Sequence, residues 1–174
     1  GAGTRFAVSC FLRAGERSDI ALRGTDGTNS FQGIFNLTTG VVTGTSSAGT
    51  GVVTRAYIEP WLDVSGVLWY RCVLIGTAGA VTASVSGFIM IIVGGSTTYT
   101  GDGVSGFYAW GAQCEETDNG ATSYMATTTA TVTRSLESFY GTWPLVPGPL
   151  TMYYRGTEIG QGLDSISSPG SWET

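Results

Sequence analysis

Apolar and polar residues alternate with a period of two along much of this chain. In "RFAVSCFLR" Phe6, Val8, Cys10 and Leu12 are apolar, and Arg5, Ser9 and Arg13 alternate with them. Side chains on an extended strand point to its two faces in turn, so the pattern predicts a strand with one buried side. "AGER" then turns the chain, "SDIALRG" sets Ile20 and Leu22 on one side, and "GTDGTNS" turns it again. "FQGIFNL" places Phe31, Phe35 and Leu37 on one face and Gln32 and Asn36 on the other. "VLWYRCVLI" gathers Leu68, Tyr70, Cys72 and Leu74.

Three later stretches are read less directly. The Thr-, Gly- and Ser-rich run 38–54 predicts a hairpin joining short strands at 41–43 and 51–58. "FIMIIV" (88–93) is apolar on both faces, which suits a central strand. In "GFYAWGAQCEE" the even positions Tyr108, Trp110, Ala112 and Cys114 form the expected inward face, leaving Gln113 and Glu115 towards solvent. No stretch of ten or more residues carries a helical stripe. Short strands with turn signals between them predict an all-β chain, a two-sheet antiparallel β-sandwich of jelly-roll type.

Composition supports that class. Gly (27), Thr (25) and Ser (17) dominate, while charged residues make up only 12%, about half the usual share. Thr favours strands, and Gly and Ser punctuate turns. After Arg134 the texture changes, since "WPLVPGPL" holds three of the five prolines. We therefore expect a sandwich over residues 1–134. Residues 135–174 are expected to be a linker that begins a second β domain or pairs along the edge of a neighbouring chain.

The chemistry available is narrow. The chain has no histidine, which removes the Ser-His-Asp triad, the Cys-His pair and His-ligated metals. Its three cysteines include no CxxC pair, and all three are expected on inward strand faces. All eight basic residues are scattered arginines and the net charge is −5, so neither nucleic acid nor an anionic membrane surface is an expected partner. Glu115 and Glu116 are adjacent, so a strand sends them to opposite faces, where they cannot flank a glycosidic bond. No enzyme is expected. Asp26, Asp102 and Asp118 lie in acid-and-amide turns and are the candidates for a structural calcium, although tight turns use the same residues. No other cofactor is expected.

Glycan binding is the sharper expectation. Sugars offer apolar C–H faces to aromatic rings, while amides, carboxylates and Arg bond their hydroxyls. Trp61 sits in the loop-like "EPWLDVSG". Trp69 and Arg71 share the face opposite the apolar set of their strand, as Gln113 and Glu115 do on theirs. These five residues form a platform if the two strands lie in one sheet. The plainer alternative has Trp69 filling a core or interface while the polar residues form a ladder on the sheet.

Four stretches taken in order, "FNLTTGVV" (35–42), "WYRC" (69–72), "YTGDGVSGFYAWGAQCEE" (99–116) and "ATSYMATTTATVTR" (121–134), resemble a family of domains. These are the jelly-roll, concanavalin A-like or carbohydrate-binding-module-like domains of bacteriophage tail-associated proteins. Asn36 stands where that family has an acid, Leu68 where it has Gly, Cys114 where it has Leu, and Met125-Ala126 where it has Ile-Pro. The resemblance spans roughly residues 5–134 and implies that the chain begins inside the domain, without its first strands. It further implies a non-enzymatic virion component, such as a tail fibre, baseplate or surface-adhesion part. That component would assemble as a homo-oligomer, a trimer by expectation, beside other virion proteins and host-surface glycans. The alternatives are a secreted, extracellular carbohydrate-binding module and, less favoured, a divergent glycoside hydrolase.

Overall fold

Eight strands make up the regular structure of the computed structural model, which describes residues 3–80, 84–117 and 120–127. In chain order they are β1 (Phe6–Ala14), β2 (Asp19–Thr25), β3 (Ser30–Asn36), β4 (Val41–Ala48), β5 (Val52–Leu62), β6 (Leu68–Thr77), β7 (Ser86–Ile91) and β8 (Phe107–Glu116). They form two four-stranded antiparallel sheets, ordered β5-β6-β1-β8 and β4-β3-β2-β7. The protein is therefore a two-sheet β-sandwich, as the alternation predicts. The expected segment 135–174 and Asp118 lie outside the described residues.

The core is built from the faces the period-two pattern picks out. Phe6, Val8, Cys10 and Leu12 of β1 and Cys72 and Leu74 of β6 meet Ile20 and Leu22 of β2, and Phe31, Phe35 and Leu37 in and after β3. Each large side chain so buried contributes about 1.5–3 kcal/mol relative to exposure. A second, smaller cluster lies on the outer face of the β1 sheet, where Ala7, Val73 and Ile75 are buried beneath Tyr57 and Ala121. Ser9 is buried on that same outer face.

Four expectations are corrected. The run 38–54 is not a hairpin within one sheet: β4 and β5 belong to different sheets, so the chain crosses the sandwich at Gly49–Gly51. The run "FIMIIV" is not central. β7 pairs only with β2 among the described residues, and Phe88 on its outer side is 48% exposed. A two-sided apolar run reports hydrophobicity and says nothing about how many neighbours a strand has. Trp61 is not in a loop but near the end of β5, where Pro60 is tolerated because β5 is an edge strand.

The fourth correction concerns β8. Ser9 pairs with Gln113, but Phe11 pairs with Trp110, so two positions of β1 are matched by three of β8. Gly111 takes φ +63° within this bulge, a conformation that favours glycine. The extra residue inverts the inside–outside phase of β8. Tyr108 and Trp110 consequently share the outer face with Gln113 and Glu115, and they are exposed rather than buried. Cys114 keeps the inner side, but among the described residues β7 and β8 are the edge strands of their sheets, and Cys114 lies at that margin. Its sulfur reaches the Val85 carbonyl at 3.7 Å and the residue is exposed, unlike Cys10 and Cys72.

Candidate functional site

The outer face of the β5-β6-β1-β8 sheet carries every side chain proposed from the sequence for glycan contact. Trp61 of β5 pairs in register with Trp69 of β6, Arg71 of β6 with Phe11 of β1, and Ser9 and Ala7 of β1 with Gln113 and Glu115 of β8. Trp69 and Arg71 thus share a sheet with Gln113 and Glu115, with β1 running between the two pairs. The face divides into a polar half and an aromatic half.

In the polar half, Arg71, Gln113 and Glu115 are occupied by the chain itself. Residues 120–125 run back across the sheet as a strap. The Thr122 N–H donates to Glu115 Oε1 at 2.8 Å and its hydroxyl to Glu115 Oε2 at 2.7 Å. Gln113 Nε2 donates to Glu115 Oε1 at 2.8 Å and to Thr122 Oγ1 at 3.3 Å, while Gln113 Oε1 accepts from the Met125 N–H at 2.8 Å. Arg71 Nη2 donates to the Thr122 carbonyl. Charge-assisted bonds of this kind are roughly twice as strong as neutral ones. The segments "GAQCEE" and "ATSYM" are therefore two halves of one clamp, and its polar side chains hold backbone.

In the aromatic half the rings touch one another and face outward. Phe11 and Trp110 stack at 4.7 Å between centroids with an interplanar angle of 9°. Trp61 meets Phe11 edge-on at 5.3 Å and Trp110 at 5.9 Å, and Tyr124 of the strap meets Trp110 at 5.2 Å. Trp61, Trp110 and Tyr108 are 39%, 40% and 53% exposed. Trp69 is half-buried beside them, and its indole N–H donates to Asp63 Oδ2 at 3.3 Å. It fills neither the core nor, among the described residues, a contact between the sheets. Among the described residues these rings form one adjoining, partly exposed aromatic surface.

The period-two pattern put Tyr108 and Trp110 on the inner face, and Phe11, Arg13 and Tyr124 were not singled out from the sequence as site residues. Two signals were present. Gly111 interrupts a strand pattern, which is a mark of a bulge, and Phe11 is a large aromatic on the otherwise polar side of β1.

The acidic turns are engaged locally. Asp26 Oδ1 accepts from the N–H groups of Thr28 and Asn29, and Asp102 accepts from the N–H groups of Val104 and Ser105 and from the Ser105 hydroxyl. Arg17 adds an ion pair to Asp102 at 3.1 Å. The Ser105 hydroxyl, then the turn N–H groups, hold the Asp102 carboxyl well below the usual carboxylate range. Among the described residues no three His, Cys, Asp or Glu side chains gather as metal ligands would.

Burial pushes the thiol of Cys10 up to about 11 and raises that of Cys72 further, so neither is a ready nucleophile. No family model matches the chain, and no curated protein matches it.

Proposed function

We propose that this chain is a non-enzymatic structural and adhesion module of a bacteriophage particle, in a tail fibre, baseplate or surface component, and that it contacts host-surface glycan. The observation that carries the adhesive part is the outward array of Phe11, Trp61 and Trp110 on the sheet, joined by Tyr124 of the strap. Pyranose C–H faces stack on such rings, and a sheet holds them at little entropic cost. The assignment to a virion rests on the sequence resemblance described above.

The binding surface is the aromatic half, with Trp61, Trp69 and Trp110 as its centre. Arg71, Gln113 and Glu115 lie beside it on the same face and hold the strap. The same occupancy argues against hydrolysis. Glu115 has both oxygens bonded to Thr122, and Glu116 pairs with Phe6 at the far end of β8.

A secreted carbohydrate-binding module would use the same face, and solution mass separates the two readings. A homo-oligomer, with a trimer expected, supports the virion part, whereas a monomer retained on glycan supports the secreted module. The adhesive reading is tested by retention on immobilised bacterial surface polysaccharides. Trp110→Ala should abolish retention while leaving the β-sheet circular-dichroism spectrum intact. Retention unchanged by that substitution overturns it.

A further inference from the structure

Arg13 is the cation of the aromatic half, and among the described residues it makes no direct ion pair. Its guanidinium carbon lies 4.0 Å from the Tyr108 ring centroid and 5.3 Å from that of Trp69, so the planar group is held between two rings. Its Nε is buried without a hydrogen-bond partner, as are those of Arg17, Arg23 and Arg71, but unlike Arg17 and Arg71 its Nη groups also have no acceptor among the described residues. No carboxylate lies within ion-pair distance of it among the described residues, where the one such pair is Arg17–Asp102. Asp63 feels the Arg13 charge without forming an ion pair with it, and its oxygens accept hydrogen bonds from its own turn and from Trp69. Oδ1 accepts the N–H groups of Ser65 and Val67, and Oδ2 accepts the Trp69 indole.

Arg71 makes the contrast plain. It also lies against an aromatic ring, that of Phe11 at 5.7 Å, but its Nη2 is bound to the strap. Stacking on aromatic faces leaves the N–H edge of a guanidinium free, and that edge matches a carboxylate through two parallel bonds. A partly buried charge without a partner is costly, so an anion that supplies both acceptors binds favourably. The exposed rings of Tyr108, Trp110 and Trp61 stand beside it for the apolar face of a sugar.

We propose that Arg13 makes this face selective for carboxylate-bearing sugars, so that the glycan it binds is a hexuronate or similarly acidic one. This rests on the glycan reading above and names its ligand class. The selectivity is local: with a net charge of −5 the protein as a whole repels polyanions, and the guanidinium attracts at short range only.

The test uses the full chain and three probes, oligogalacturonate, oligoglucuronate and oligomannuronate, each beside its fully methyl-esterified form. Esterification removes the charge and leaves the ring faces. At least one acid should bind about tenfold tighter than its ester, a span typical of one charge-assisted contact. Arg13→Met should bring the ratio of acid to ester affinity to about one, whatever it does to each affinity alone, with the circular-dichroism spectrum unchanged. Equal binding of acid and ester by the unsubstituted chain, or a preference that survives Arg13→Met, overturns the inference while the glycan reading stands. Absence of binding to every acid and every ester brings down both.

Discussion

Glu115 grips Thr122 twice, taking the backbone N–H on one carboxylate oxygen and the side-chain hydroxyl on the other. With Gln113 holding Met125 and Arg71 holding the Thr122 carbonyl, a segment with no regular secondary structure is fixed across the outer face of the sheet. Its Ala121 packs, with Tyr57, against the buried Ala7, Val73 and Ile75 of the outer face. The strap also delivers Tyr124 to the edge of the aromatic half.

Removing the grip should therefore destabilise the fold from outside its main core. Glu115→Ala is expected to cost about 2 kcal/mol, the scale of hydrogen bonds made to a charged group. The urea midpoint measures that loss, and amide exchange at Thr122 and Met125 should accelerate beyond the global effect. A midpoint shift below about 0.5 kcal/mol would mean that the strap is held some other way.

Gly111 answers to backbone and space together. A Cβ there would stand 3.0 Å from Phe11 Cδ2, on a residue whose φ is +63°. Gly111→Ala should cost about 1–2 kcal/mol, the penalty of a left-handed conformation for a residue with a side chain. It should also change the near-ultraviolet circular dichroism, because Trp110 and Phe11 are stacked beside it. An unshifted thermal midpoint would contradict the bulge.

The three thiols should separate by accessibility. Only Cys114 is exposed; Cys10 and Cys72 face each other in register within the core. A disulfide reagent is expected to titrate one thiol per native chain and three in denaturant. The reaction at Cys114 should be slow at neutral pH, because desolvation and then the charge of Glu115 raise its pKa. Two fast native equivalents would be inconsistent with the packing of β1 against β6.

Acid should loosen the turns first. Asp102 is held low chiefly by the Ser105 hydroxyl, Asp63 by the Val67 N–H, and Glu16 by backbone N–H groups including that of Gly106. Each gives up its proton more readily folded than unfolded. Each therefore stabilises the fold above the ordinary carboxylate value near 4, and that contribution is lost as pH falls from there through the folded value. The thermal midpoint should be level from about pH 7 to 5 and fall below about 4. Carboxyl-carbon NMR should find Asp102 titrating well below its unfolded value, and closer to it in Ser105→Ala. An ordinary titration of Asp102 in the unsubstituted chain would exclude the turn geometry.

The strands and the two-layer architecture were legible because period two survives wherever one face is buried. β1, β2, β3 and β6 declare themselves through Leu12, Leu22, Phe35 and Leu74. The placement of β7 was not legible, because which strands neighbour it is set by long-range pairing and not by its own residues. The site was half legible. Gln113, Glu115, Arg71 and Trp69 do share a face, but what they bond depends on a strap that has no periodicity of its own. Arg13 looked like an ordinary solvent-facing strand residue, because its lack of a direct ion pair depends on the Asp63 carboxylate turning towards Ser65, Val67 and Trp69.

The added residue at Gly111 bears on how this chain should be compared with others. Orientation along a ribbon is an odd-or-even count, and one insertion changes the parity of everything beyond it. Two sequences matched by hydrophobicity through this point, one with the insertion and one without, would agree letter by letter while presenting opposite surfaces to the solvent. Any alignment crossing position 111 therefore needs a frame change there before a tryptophan in one protein is equated with a tryptophan in another.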